Sequence, residues 1–425
     1  MSEPVDSNSA APSKGALGTI FLIVFADLMG FGIIIPLLPL YAAQYHASPL
    51  DIGLLFSIYS ACQFIASPIL GVLSDRYGRR PVLIFSQLGS SLGYLLLGVV
   101  MNIQWMNPTY ALLLIYCSRL IDGLSGGNIS TAQAYISDVT SAENRARGMG
   151  VLGAAFGVGF AMGPALGALL VTVHPALPGY FAAVMSFVAM LQTYFRLQES
   201  RVHKPADAAG WLHPSRFKPI FAKGLLVQLL LIAFISMAAF VMLESMVAIF
   251  LANPKTFQFH PWQVGLYYAY LGVIIATVQG GFIGRLTKYF GEWPLAIAGP
   301  VFVGMGMALL AIVGIYPVLL LLLAGGAINA IGRSLQTPTL YSLISHSSDP
   351  REQGLVFGLN QGLGSIARVI GPMIAGAAYD VNISGPFIIA GVVVLLASLW
   401  TATLRSQIAT SPHDLAADAN AAESV

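Results

Sequence analysis

Apolar residues run along this chain in long stretches, and short polar clusters separate them. A helix rises about 1.5 Å per residue, so roughly 20 mainly apolar residues cross the hydrocarbon core of a bilayer. Read on that rule, the sequence predicts twelve spans, at approximately 16–43, 51–74, 80–101, 109–137, 144–173, 178–196, 222–252, 261–285, 293–313, 317–345, 353–379 and 384–404. Most connections are only a few residues long. The exception, 197–221, is rich in Lys, Arg, His and Pro and divides the chain into six spans (16–196) and six (222–405). The expected class is therefore an all-α membrane protein, with twelve transmembrane helices in two pseudo-symmetric six-helix bundles. Residues 1–15 are polar and 406–425 are rich in Ala, Asp and Ser, a composition that predicts disordered ends.

Composition agrees with the pattern. Of 425 residues, 56% are hydrophobic and only 9% are charged, where a soluble domain carries about 25% charged residues. Such a chain cannot cover a water-facing surface. The first apolar segment lacks the basic start of a secretory signal and is too long for its apolar core, so it is expected to stay as a span. Cys62 and Cys117 both lie in apolar segments and have neither disulfide-framework nor metal-ligand spacing. The net charge of +2 says little about partners and gives no sign of nucleic-acid binding. The distribution of basic residues says more. Arg76, Arg79 and Arg80 follow span 2, Arg145 and Arg147 follow span 4, Lys288 follows span 8 and Arg351 follows span 10. The central loop adds Arg201, Lys204, Arg216 and Lys218, while the opposite loops offer only Lys255. The positive-inside rule then places the even-to-odd loops and both termini in the cytoplasm.

The two halves resemble each other. Gly71, Gly78 and Pro81 recur with the same spacing as Gly284, Gly291 and Pro294. GGNISTAQAY in span 4 meets GRSLQTPTLY in span 10, aligning Gly126 with Gly332, Thr131 with Thr337 and Tyr135 with Tyr341. Gly163-Pro164 matches Gly371-Pro372. Two parallel halves around a central path are a recurrent plan of secondary transporters.

Charges inside spans are expensive: about 2.5–3.5 kcal/mol on insertion scales, so each is a candidate for function. This chain carries Asp27, Asp122 and Glu244 against Arg119, Arg333 and Arg368. Three acids against three bases leave a neutral interior, as the cost of unpaired buried charge requires. Asp122 lies three residues after Arg119 on one helical face and can pair with it for structural reasons alone. Asp27, deep in span 1, is the candidate proton-coupling carboxylate, with Arg119 as the cation that sets its proton affinity. Glu244 is a second proton-coupling candidate or an outer-gate ion pair. Polar groups at mid-span, namely Gln63, Gln133, Tyr270, Gln336, Tyr341, Asn360 and Gln361, are candidates for a substrate pocket. Thr140 to Glu143 and Asp349 to Glu352 read as capped starts of spans 5 and 11.

Three motifs carry a resemblance. GVLSDRYGRRP after span 2 combines Gly71, Asp75, Arg76, Gly78, Arg79 and Arg80 in the pattern G-x-x-x-D-R-x-G-R-R. Span 4 contains RLIDG, and span 5 contains GVGFAMGPALG with Gly157, Gly163, Pro164 and Gly167. Together with Asp27 in FADLMGFGIIIPLLP, these resemble the major facilitator superfamily, and within it the tetracycline-exporter-like branch of the twelve-span drug:proton antiporters. The resemblance covers essentially the whole membrane region. It implies export of a small amphipathic, drug-like compound in exchange for protons, by a monomer in a bacterial inner membrane, with a proton gradient and no cofactor. It also implies that Asp75, with Arg76 and Arg79 beside it, latches the amino end of span 11 on the cytoplasmic side. The chain departs from the branch at two places. Tetracycline exporters carry an aspartate in span 3 where this chain has Gly93, and an acid in span 9 where 293–313 has none. Both departures weigh against tetracycline itself. The alternatives are an organic-anion carrier using Arg333 and Arg368, or a non-transporting receptor or scaffold on the same fold.

Two further motif matches are set aside. Gly148 to Gly153 fits G-x-G-x-x-G but follows a charged loop rather than a strand. Gly89 to Gly93 fits the nucleophile-elbow pattern but lies inside an apolar span. With 44 glycines, such matches arise by chance. No nucleophile, metal or cofactor constellation points to an enzyme.

Overall fold

The computed structural model describes residues 14–104, 107–126, 128–140, 145–200, 220, 223–349 and 352–409. Helices occupy all twelve expected positions. Spans 1–6 comprise Lys14–Ile34 with Leu38–Gln44, Pro49–Tyr77, Arg79–Asn102, Pro108–Ser125 with Asn128–Val139, Arg145–Val173 and Leu177–Arg196. Spans 7–12 comprise Gly224–Ala252, Pro261–Phe290, Glu292–Val313, Leu319–His346, Gln353–Val381 and Gly385–Ala409. No strand occurs among the described residues.

Among the described residues, seven of these helices are apolar and long enough to cross a bilayer unaided, or eight if the two pieces of span 1 count together. Those pieces meet at a 42° bend, just before Pro36, whose ring removes a backbone donor. Span 8 contains a π-helical turn, Val278–Phe282, built on Gln279, Gly280 and Gly281. Span 4 stops at Ser125 and restarts at Asn128.

The chain packs as two compact units. One is built on Met1–Ala47, Ile58–Gly210 and His260–Ala269, the other on Ser48–Ser57, Trp211–Phe259 and Tyr270–Val425. In the first, spans 1 and 5 cross on a glycine seam. A Cβ on Gly159 would lie 2.8 Å from the Cβ of Leu28, and one on Gly163 would lie 2.8 Å from the backbone of Gly32. Gly167 abuts the Ile33 carbonyl in the same way, at 2.9 Å. These glycines recur every fourth residue, so they form one stripe on which span 1 rests. Gly265 of span 8 closes on span 5 in the same unit, its Cβ position 3.0 Å from the Pro164 carbonyl. In the second unit, Ser57 donates to the Val369 carbonyl at 2.6 Å. There Gly376 packs so closely on the start of span 2 that a Cβ would lie 2.8 Å from the Leu50 Cα.

The repeat seen in the sequence has a geometric counterpart. Gly78 and Gly291 both adopt positive φ, +101° and +78°, at the tight turns into spans 3 and 9. Only glycine takes that conformation without strain. The expected capped start of span 11 differs in detail. Its helix begins at Gln353 with Glu352 as the cap residue, whose side chain makes no capping bond. The reason is a competing partner: the Glu352 carboxylate pairs with Lys223 at 2.7 Å. Pro350 and Arg351, the Ser141–Glu143 part of the span 5 cap, and central-loop residues Arg201, Lys204, Arg216 and Lys218 lie outside the described residues.

Candidate functional site

The charged interior of spans 1–6 centres on span 4. Arg119 and Asp122, both almost fully buried, form an ion pair at 3.1 Å. Ser118 accepts a second guanidinium hydrogen bond at 3.0 Å, and the Ser90 hydroxyl reaches the Asp122 carboxylate. The Arg119 guanidinium also lies over the Tyr94 ring, 5.7 Å from its centroid. The far edge of that ring touches span 1: a Cβ on Gly30 would stand 2.9 Å from it and 3.3 Å from the phenol oxygen. Tyr94 therefore spans the distance between the Arg119–Asp122 pair and the helix face one turn from Asp27. Asp27 itself is half-buried. It sits on span 1 with the glycine seam of span 5 gripping the residues just after it and Tyr94 gripping Gly30. Tyr94 did not stand out in the sequence, because a tyrosine in an apolar helix looks like ordinary packing.

Gly93 explains one departure from the tetracycline-exporter pattern. A Cβ there would lie 3.0 Å from the Asp122 Cβ and 3.1 Å from the Ser118 carbonyl. Any side chain at position 93 would press on span 4, so Asp122 and the Ser118 carbonyl would have to give way by a few tenths of an ångström to admit an aspartate. The elbow-like Gly89 to Gly93 stretch is likewise packing, with Ser91 donating to the Ala183 carbonyl at 2.9 Å.

The loop after span 2 is held by ions. Arg79 pairs with Asp75 at 2.7 Å and with Asp138 at 3.0 Å, and donates to Ser74 at 2.6 Å. Two roles here escaped the sequence reading. Asp138 anchors the loop to the end of span 4. Glu199 caps span 3, accepting the Arg79 and Arg80 amides at 2.7 and 3.0 Å. Both contacts join residues separated by 59 or more positions, so no local pattern announces them. Arg80 stacks over Tyr194 at 5.4 Å and Arg76 over Tyr77 at 5.3 Å. Gly71 has open space where a side chain would be. Gly157 lies in the span 5 helix, and its packing falls outside the described residues. Gly159 takes its place in the seam with Gly163 and Gly167.

Spans 7–12 gather the other candidates. Arg333, Arg368, Gln336, Tyr341, Asn360 and Gln361 line one open cleft between spans 7, 10 and 11. Gln336 donates to Ser236 at 2.5 Å, and Arg368 to Ser365 at 3.0 Å. The guanidinium of Arg333 lies flat on the Phe240 ring, 3.5 Å from its centroid. Glu244, one turn further along span 7, is the acid whose charge acts on both arginines. The other pocket candidates lie elsewhere. Tyr270 donates to the Leu323 carbonyl at 3.2 Å and joins spans 8 and 10. Gln63 donates to the Gly126 carbonyl at 2.9 Å, beside the break in span 4. Gln133 is exposed on the second piece of that span.

The comparisons with known proteins point one way. A model of the Major Facilitator Superfamily matches residues 20–321 and 280–421. The chain is 32% identical over 382 residues to the tetracycline resistance protein, class C, of Escherichia coli, covering 88% of this chain and 91% of that protein. It is 27% identical over 392 residues to multidrug resistance protein 1 of Bacillus subtilis (strain 168), covering 91% and 96%. Among solved structures it is similar to the human organic anion transporter MFSD10 (TETRAN), at 25% identity and TM-score 0.66, covering 92% and 99%. The fold is also that of a bacterial homolog of the human lysosomal transporter Spinster, at 16% identity and TM-score 0.72, covering 93% and 98%.

Proposed function

The chain belongs to the major facilitator superfamily, whose members are transporters rather than enzymes, and from that premise we propose that it exports a small amphipathic compound in exchange for protons. It is an integral, multi-pass membrane protein. In this reading it works by alternating access as a monomer in a bacterial inner membrane, with both termini in the cytoplasm, and the proton gradient replaces any cofactor. The observation that carries the reading is the setting of Asp27. A carboxylate persists at mid-membrane against a cost of about 2.5–3.5 kcal/mol, on a helix fixed by a glycine seam on one side and by Tyr94 on the other. A group held so firmly beside a second buried charge cluster is suited to bind and release a proton as its surroundings change.

Arg119, Asp122 and Tyr94 are then the positioning groups for Asp27, and Glu244 is the second acid that can take part in coupling. The ion pairs of Arg79 with Asp75 and Asp138 form the cytoplasmic gate element, and the spans 1–5 seam transmits movement to Asp27. Kinship with proteins named for tetracycline and multidrug resistance supports export of a drug-like compound. The proposal stops short of tetracycline, because span 3 carries Gly93, packed tightly on Asp122, where the tetracycline exporters carry an acid, and span 9 has none. The test is a compound panel on the reconstituted full chain with an imposed pH gradient. Accumulation of at least one amphipathic compound that vanishes when the gradient is collapsed is the expected result. Transport of the same compounds at the same rate with and without the gradient would exclude proton coupling.

A further inference from the structure

Every charged side chain lining the cleft in spans 7–12 is an arginine. Arg333 makes unusually poor use of its hydrogen-bonding capacity. A guanidinium carries five N–H donors in one plane, yet the hydrogen-bond acceptor it meets among the described residues is the Met237 sulfur, at 3.7 Å. The Phe240 ring covers one side of the group, which borders the cleft. Arg368 reaches the same cleft from span 11 and gives one donor to Ser365. Glu244 of span 7 is an acid whose charge acts on both. The lining of the cleft itself carries two cations and no acid, a wall whose field favours an incoming anion. The surface beside these cations is partly apolar, from Ala233, Leu340 and Tyr341.

From this arrangement we infer that the cleft is the substrate site and that its ligand is an amphipathic organic anion, with a carboxylate or sulfonate seated on Arg333 and Arg368. A planar carboxylate matches the two-pronged donor edge of a guanidinium. Its charge is opposite to that of the two arginines on the wall, whereas an incoming amine would add a third cation beside them. Asn360 and Gln336 supply amide groups along the wall, and the apolar part of the ligand lies against Leu340 and Tyr341. The inference rests on the transport reading above, because it names the compound class for that export.

The test is equilibrium binding to the purified full chain, read by tryptophan fluorescence and by thermal shift, so it needs no transport. Probes are aromatic carboxylates such as naphthalene-acetate and fluorescein, each compared with its primary amide and with the matching amine. Charge-assisted hydrogen bonds predict that the carboxylates bind about 10- to 100-fold more tightly than the amides, with the amines weaker still. In Arg333→Gln and in Arg368→Gln the ratio of carboxylate to amide affinity should fall toward one, and Arg333→Lys should recover only part of the preference. Amide or amine binding equal to or tighter than carboxylate binding in the unaltered protein overturns the inference, whatever the variants do. So does a carboxylate preference that survives both glutamine substitutions. Tight carboxylate binding without gradient-driven transport would leave this inference standing and count against the antiport reading alone.

Discussion

The two halves of the chain use one architecture with opposite charge. Away from the span ends the first half carries Asp27, Arg119 and Asp122, and the second carries Glu244, Arg333 and Arg368. These interior sets are formally negative by one charge in the first half and positive by one in the second. Equivalent contacts locate the exchange. Gly163 meets Gly32 where Gly371 meets Ala238; counting back the same number of residues puts Ala233, on the cleft wall, at the place of Asp27. Gly93 meets Ser118 and Asp122 where Gly306 meets Gly325 and Asn329. The buried Arg119–Asp122 pair thus becomes Gly326 and Asn329 in the second half. Gly126 follows Asp122 by four residues, whereas Gly332 follows Asn329 by three. That extra residue falls where span 4 breaks and span 10 runs on unbroken. The first half thus has an acid, Asp27, on its first helix where the second half has Ala233, and the second half has two arginines lining the cleft beside that position. On the proposed function, Asp27 is the first-half coupling group and the arginines are the second-half anion-binding groups.

The strongest way to break this comparison is to neutralise equivalent positions. Arg119→Leu leaves Asp122 buried without its cation and should cost about 3–5 kcal/mol of stability, much of it restored in Arg119→Leu/Asp122→Leu. Asn329→Ala removes only a long contact, 3.5 Å to the Val303 carbonyl, and should cost about 1 kcal/mol. Thermal unfolding in detergent measures both, and equal costs would mean that the halves are not electrostatically distinct. The crossing glycines sharpen the contrast next. Gly163→Ala drives a methyl into the Gly32 backbone, whereas Gly371→Ala meets first a Val241 methyl. Overpacking of this kind costs about 1–3 kcal/mol, with the larger loss expected for Gly163→Ala because backbone yields less than a side chain. Glu199→Ala comes last. It removes the cap of span 3 and should cost about 1 kcal/mol, seen as faster hydrogen exchange in the first turns of that helix. Span 9 has only an acid of its own in the first turn, Glu292, whose carboxylate accepts from Ser342.

Much of this was legible in the sequence. The bilayer forces long apolar runs, so the twelve helices lie where hydropathy puts them. Polar groups at mid-span persist only where they face a cavity or one another. Accordingly Gln336, Tyr341, Asn360 and Gln361 line the same cleft as Arg333 and Arg368. The same logic is weaker for Gln63 and Tyr270, whose side chains satisfy backbone carbonyls in helix crossings. What local patterns do not carry is the partner across a long loop: Tyr94 against Gly30, Glu199 beneath span 3, Asp138 on Arg79, and Lys223 drawing Glu352 away from a capping role. Each depends on where a distant helix comes to rest. The Gly159 seam was within reach, since its four-residue spacing to Gly163 and Gly167 is visible in the chain.

The central claim of the proposed function is that Asp27 couples transport to the proton gradient while the second half binds the compound. It is tested most directly by Asp27→Asn in proteoliposomes, comparing pH-gradient-driven accumulation with gradient-free counterflow of the same compound. Accumulation should fall on the order of 100-fold or more, the scale at which loss of a proton-transfer group is felt, while counterflow persists. Gradient-driven accumulation at the unaltered rate and with unaltered pH dependence would contradict the account.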